Sequence, residues 1–99
     1  MKNKFGYQVD YLDFWAQDEK GHYYHICEGT GDNLLKEDIE AGYVDYIYYE
    51  IFFSLNSLQE NDEDDGGQVL LKEYYQDLTI EQIIDMVADM ESCKLTVLD

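Results

Sequence analysis

Arginine and proline are absent from this chain, and six lysines stand against 23 aspartates and glutamates in 99 residues. With so few basic side chains, no surface can meet the phosphates of a nucleic acid or of an anionic membrane, so neither is a direct partner. Cysteine occurs twice, and Cys27 and Cys93 lack metal-ligand spacing, which predicts two free, partly buried thiols. No run approaches the roughly 18 apolar residues that a membrane span requires. The opening MKNKFGYQVD lacks the apolar stretch of a signal peptide, and the chain is expected to be soluble and cytoplasmic. With no proline-rich or glycine-rich linker and no internal repeat, residues 1–99 are expected to form a single acidic α+β domain.

What is present is enough to fold. Hydrophobic residues make up 45% and aromatic residues 15% of the chain, a composition unlike that of a disordered acidic tail. The formal charge of -17 exceeds what solubility needs, and self-repulsion on that scale opposes compaction. A molecule of this kind attracts a strongly basic partner.

The alternation in FGYQVDYLDFW, with Phe5, Tyr7, Val9 and Tyr11 on one face, predicts a half-buried strand. QDEKG supplies a turn and HYYHICE a returning strand. Asp32 or Asn33 is placed to cap a short helix carrying Leu34, Leu35 and Ile39, closed by Gly42. YVDYIYYEIFF, residues 43–53, is β-branched, tyrosine-rich and apolar on both faces, as a central strand would be. SLNSLQENDEDDGG reads as a loop and QVLLKEYYQ as another strand. In LTIEQIIDMVADM, Thr79 and Gln82 form a capping box, Leu78 and Ile83 a hydrophobic staple, and Ile80, Ile83, Ile84, Val87 and Met90 one apolar face. KLTVL adds an edge strand. The expected fold is a mainly antiparallel sheet of four to five strands with two helices packed on one face.

Three stretches invite a chemical reading. Asp62 to Glu73, DEDDGGQVLLKE, approaches a calcium-binding EF-hand loop, with Asp62, Asp64, Gly67 and Glu73 at positions 1, 3, 6 and 12. Its flanks are not helical and Gly66 removes a ligand, so a mobile acidic hairpin loop is the expectation and a calcium-binding module the alternative. HYYHIC offers His22, His25 and Cys27, but in a strand only His25 and Cys27 share a face, and two ligands do not make a zinc site. The third stretch is a row of carboxylates. Asp77, Glu81, Asp85 and Asp89 recur every fourth residue on and just before the last helix, opposite its apolar stripe. Successive members rise about 6 Å, similar to the spacing of phosphates along a nucleic-acid strand. Glu60, Asp62, Glu63, Asp64 and Asp65 form a second acidic group. No nucleophile, phosphate loop or cofactor fingerprint is visible, Gly29 and Gly31 lack the third glycine of such a loop, and neither enzymatic activity nor a cofactor is expected.

In size and charge, along its whole length, the chain resembles the small acidic inhibitors encoded by phages and mobile elements, including anti-CRISPR and anti-restriction proteins that act as DNA mimics. The resemblance implies a stoichiometric blocker of the basic groove in which a Cas effector, restriction enzyme or other nuclease receives DNA. An immunity protein for a nuclease toxin would have the same character. An acidic adaptor or subunit, using the tyrosine-rich strand as a permanent interface, is a further reading. Ten tyrosines exceed what a small core needs and suit an interface.

Overall fold

The computed structural model describes residues 12–28 and 34–98. Phe5, Tyr7, Val9 and Tyr11, and the proposed caps Asp32 and Asn33, lie outside these residues. The described chain forms a five-stranded antiparallel sheet with helices, an α+β fold. The strands are β1 (Asp13–Asp18), β2 (Tyr23–Glu28), β3 (Asp45–Phe52), β4 (Asp65–Leu71) and β5 (Leu95–Val97), in spatial order β4-β3-β2-β1-β5. The helices are α1 (Lys36–Glu40), α2 (Leu55–Gln59) and α3 (Ile80–Glu91), with a single 3-10 turn at Tyr75–Asp77.

Strand alternation divides the sheet into two unequal faces. Ala16, Tyr24, Ile26, Ile47, Tyr49 and Ile51 point to one face and pack with Leu71, Leu78, Ile83 and Val87 in the core. The register explains the clustering: Ala16 lies opposite Tyr24, Tyr24 opposite Ile51, and Ile26 opposite Tyr49. The other face carries Trp15, His25 and Phe52. Trp15 stacks on His25 at 4.5 Å and meets Phe52 at 5.9 Å, and Phe52 is fully buried. This is why residues 43–53 read as apolar on both sides, and β3 is an interior strand as expected.

α3 begins as its sequence predicts. Thr79 accepts from the Gln82 N–H, and Gln82 returns to the Thr79 N–H. Ile83, Ile84 and Val87 are buried, while Met90 is 56% exposed and Met86 packs against the core in its place. Met90 sits in the last turn of α3. α1 and α2 carry no buried residue. Leu35, the N-cap of α1, and Ile39 within it are 64% and 59% exposed, so among the described helices only α3 covers the core face with buried side chains.

Several boundaries move for physical reasons. β1 starts at Asp13 and continues through Gln17 and Asp18, because the buried Asp18 carboxylate accepts from the Lys20 N–H, the His22 N–H and the Tyr24 hydroxyl and so builds the turn itself. Those donors are what allow a carboxylate to be buried there. Residues 54–67 are a loop only over residues 60–64. Ser54 caps α2, accepting from the Ser57 N–H, and β4 begins at Asp65. The strand expected over residues 68–76 ends at Leu71. Cys27 and Cys93 are half-buried thiols not joined in a disulfide, as expected.

Candidate partner-binding surface

Glu81, Asp85 and Asp89 stand exposed on the outer side of α3, and Asp77 is exposed at the end of the 3-10 turn before it. None of the four carboxylates accepts a hydrogen bond or forms an ion pair among the described residues. There, every ion pair uses a histidine: His22 with Asp18, and His25 with Asp13 and Glu50. The described lysines therefore neutralise none of the row. The C-terminal turn of α3 adds to the negative field. A helix C-terminus carries a partial negative charge that favours a cation, yet its last turn has no basic residue and holds Asp89 and Glu91 instead.

The second acidic group lies in the turn between α2 and β4 and at the start of β4, and hydrogen bonds tie it to its neighbours. Asp62 N–H donates to Ser57 and Asp64 N–H to Ile51, both through backbone carbonyls. The Asp64 carboxylate accepts from the Phe53 N–H at 2.7 Å, and Asp65 from the Gly66 N–H at 2.8 Å. Glu60 is the C-cap of α2, and Asp62 and Glu63 are exposed. The two glycines have a structural reason as well. A Cβ on Gly67 would lie 2.5 Å from the Tyr49 hydroxyl oxygen, and one on Gly66 would lie 2.7 Å from the Tyr49 carbonyl oxygen. They let β4 close down over Tyr49. Asp65 to Leu71 is thus a strand about 20 Å long, not a ligand loop. Glu73 lies beyond its far end, where it cannot join Asp62 around one ion.

Tyr49 ties the two acidic groups together. Its hydroxyl donates to Glu91 Oε2 at 2.5 Å, and its pKa is pushed far above the ordinary tyrosine value by burial, by that hydrogen bond and by the charges of Glu91 and Asp65. Asp65 therefore lies at the C-terminal end of α3, near Glu91, whereas Asp77 and Glu81 lie near its other end, about 18 Å away along a 12-residue helix. Tyr24 and Cys93 share this end, their atoms 3.6 Å apart. Burial, followed by the Cys93 contact, raises the Tyr24 hydroxyl, and burial also raises the Cys93 thiol. Glu19, which accepts from the Lys94 N–H and is lowered by that bond, closes the group. Glu19 and Glu91 were missed by sequence reasoning. Their signal was faint, since Glu91 falls outside the every-fourth spacing and Glu19 lies in a turn 72 residues before the end of α3 at Glu91.

On the opposite face His25 Nε2 lies 2.6 Å from Asp13 Oδ1, its Nδ1 3.8 Å from Glu50 Oε2, and its ring against Trp15. Tyr48, beside them, is raised to about 12, chiefly by its hydrogen bond to Cys27. His22 precedes β2 and packs on Phe53 instead. Among the described residues no three His, Cys, Asp or Glu side chains are arranged to hold a metal ion. No helix there is long and apolar enough to cross a membrane. Comparison with protein-family models, curated proteins and solved structures gives no match, so the surface is read from its own chemistry.

Proposed function

We propose that this protein is a stoichiometric inhibitor that occupies the basic nucleic-acid-binding surface of a Cas effector, restriction enzyme or other nuclease by presenting carboxylates in place of phosphates. The observation that carries the reading is the exposed row Glu81, Asp85 and Asp89 on α3, none of whose members is engaged within the described chain. A row left unneutralised, whose last member Asp89 lies at a helix C-terminus that disfavours a carboxylate, keeps its full charge for a partner. The carboxylates speed encounter and set register against lysine and arginine, while aromatic side chains slow dissociation. The action requires no catalytic step and takes place in the cytoplasm.

The test begins with capture of partners from a host lysate at low and high salt, followed by competition. A captured nucleic-acid-binding protein is loaded with labelled double-stranded DNA and titrated with wild-type chain or with the triple variant Glu81→Gln, Asp85→Asn, Asp89→Asn. The wild type is expected to displace DNA at one equivalent, and the triple variant to do so less well, with a difference that shrinks as salt screens the charges. Equal potency of the two proteins at low salt would remove the row from the mechanism. Recovery of a cleaved or modified partner after substoichiometric treatment would replace inhibition by occupancy with catalysis.

A further inference from the structure

Two observations meet at the outer side of β4. The first is an open edge. β4 ends the sheet, pairs with β3 alone, and has no strand against its other side among the described residues. A free edge is a row of backbone donors and acceptors that proteins usually guard with lysine, proline or a bulge. Asp65–Leu71, DGGQVLL, contains neither lysine nor proline, and Lys72 stands just past its end. The second is a cavity of about 250 Å³ between the C-terminal end of β4 and α3, lined by Leu71, Leu78, Gln82 and Met86 together with Lys72 and Glu73. The opposite flank of α3, Ile84 and Ala88, faces Lys94 and Leu95 beside the other edge of the sheet, so the cavity belongs to the β4 side. It is smaller than the roughly 300–1,000 Å³ of small-molecule sites, and suits one apolar side chain. Exposed Met90, one turn beyond Met86, continues the same apolar flank.

We propose that the β4 edge and this cavity form a docking groove for an extended, basic segment of a protein partner, which adds to the sheet as a sixth strand and sets an apolar side chain between Leu71, Leu78 and Met86. Strand addition of this kind takes affinity from main-chain hydrogen bonds and specificity from pockets for alternate side chains. The charge selects the occupant. Exposed Asp64 and Asp65 stand at one end of β4, and Glu73 beside Lys72 at the other, so three carboxylates flank the strand against one lysine. A lysine-bearing segment meets these carboxylates, whereas a second copy would bring the same acids and a further charge of -17 to the edge. The inference deepens the inhibitor reading and rests on it in taking the partner to be basic.

The test uses a fluorescein-labelled octapeptide of alternating valine and lysine, and the same peptide N-methylated at every peptide nitrogen, which keeps charge and side chains but removes the donors. Each is titrated into the full chain and followed by anisotropy, with hydrogen exchange read along β4. The plain peptide is expected to bind about ten-fold or more tightly than the methylated one, a difference of about 1.4 kcal/mol, and to slow exchange over residues 66–70. Gln68→Lys, at an exposed position of the edge, should weaken the plain peptide with the melting temperature unchanged. Equal binding of both peptides, or of neither, would overturn the groove while leaving the carboxylate row untouched. A dimer of the free chain that Gln68→Lys dissolves would give the edge to a second copy, and would also overturn it. Conversely, a preference for the plain peptide, together with no displacement of DNA from any captured protein, would keep the groove and sink the inhibitor reading.

Discussion

Two sets of carboxylates divide this acidic molecule. Asp18, Asp64 and Glu91 are each held by a donor that the fold supplies: the β1–β2 turn, the Phe53 N–H and the Tyr49 hydroxyl. Glu81, Asp85 and Asp89 have no such donor among the described residues. Chemically the two sets are alike, so the difference lies in what surrounds them. A carboxylate that satisfies a backbone N–H or a buried hydroxyl is part of the architecture. One that faces only water and its own like-charged neighbours costs a little stability, and its charge is available to a partner.

Substitution can break this division, and the largest effect is expected at Asp18. Asp18→Ala removes the acceptor of the Lys20 and His22 N–H groups and of the Tyr24 hydroxyl, and should cost about 3 kcal/mol in urea unfolding, because donors left without a partner carry their desolvation cost. Gly67→Ala attacks the Tyr49–Glu91 closure from the other side. Its Cβ cannot fit against Tyr49 without moving a buried ring, and a loss of about 1–3 kcal/mol is expected from overpacking. A variant as stable as the wild type would show that Tyr49 is free to move and that the engaged set is looser than its geometry.

Alkaline titration is the next probe. Tyr24, Tyr48 and Tyr49 all hold their protons more tightly when folded, Tyr48 up to about 12 against about 10 in an unfolded chain. Their contribution is fully present below about pH 10 and is lost as pH rises through the folded values. Stability measured at stepped pH should fall from pH 10 upward, and Tyr49→Phe should flatten the slope. The smallest effect belongs to the unengaged set. Neutralising Glu81, Asp85 and Asp89 together should leave stability unchanged or raised by a few tenths of a kcal/mol, since each like-charge pair costs about 0.2–0.5 kcal/mol. A marked loss of stability would mean that these carboxylates have partners and belong with Asp18.

The sequence alone determined the elements whose signals are local. The capping box of Thr79 and Gln82, the staple of Leu78 and Ile83, the interior character of the strand around Tyr46 to Phe52 and the outward row on α3 follow from spacings of two to four residues, which helix and strand geometry convert directly into faces. Tertiary structure decided everything that depends on residues distant in the chain. DEDDGGQVLLKE resembled a calcium loop because its composition fits one, but Gly66 and Gly67 are there so that β4 can lie over Tyr49, a contact across strands that no local pattern records. Leu35, Ile39 and Met90 had the periodicity of buried residues and are exposed, because spacing along one helix does not say which part of its apolar stripe the sheet covers, and on α3 that part runs through Ile83, Ile84 and Val87. Which carboxylates are engaged was also settled at this level. Backbone spacing says where a charge points, but only the packed fold supplies the donor that meets it.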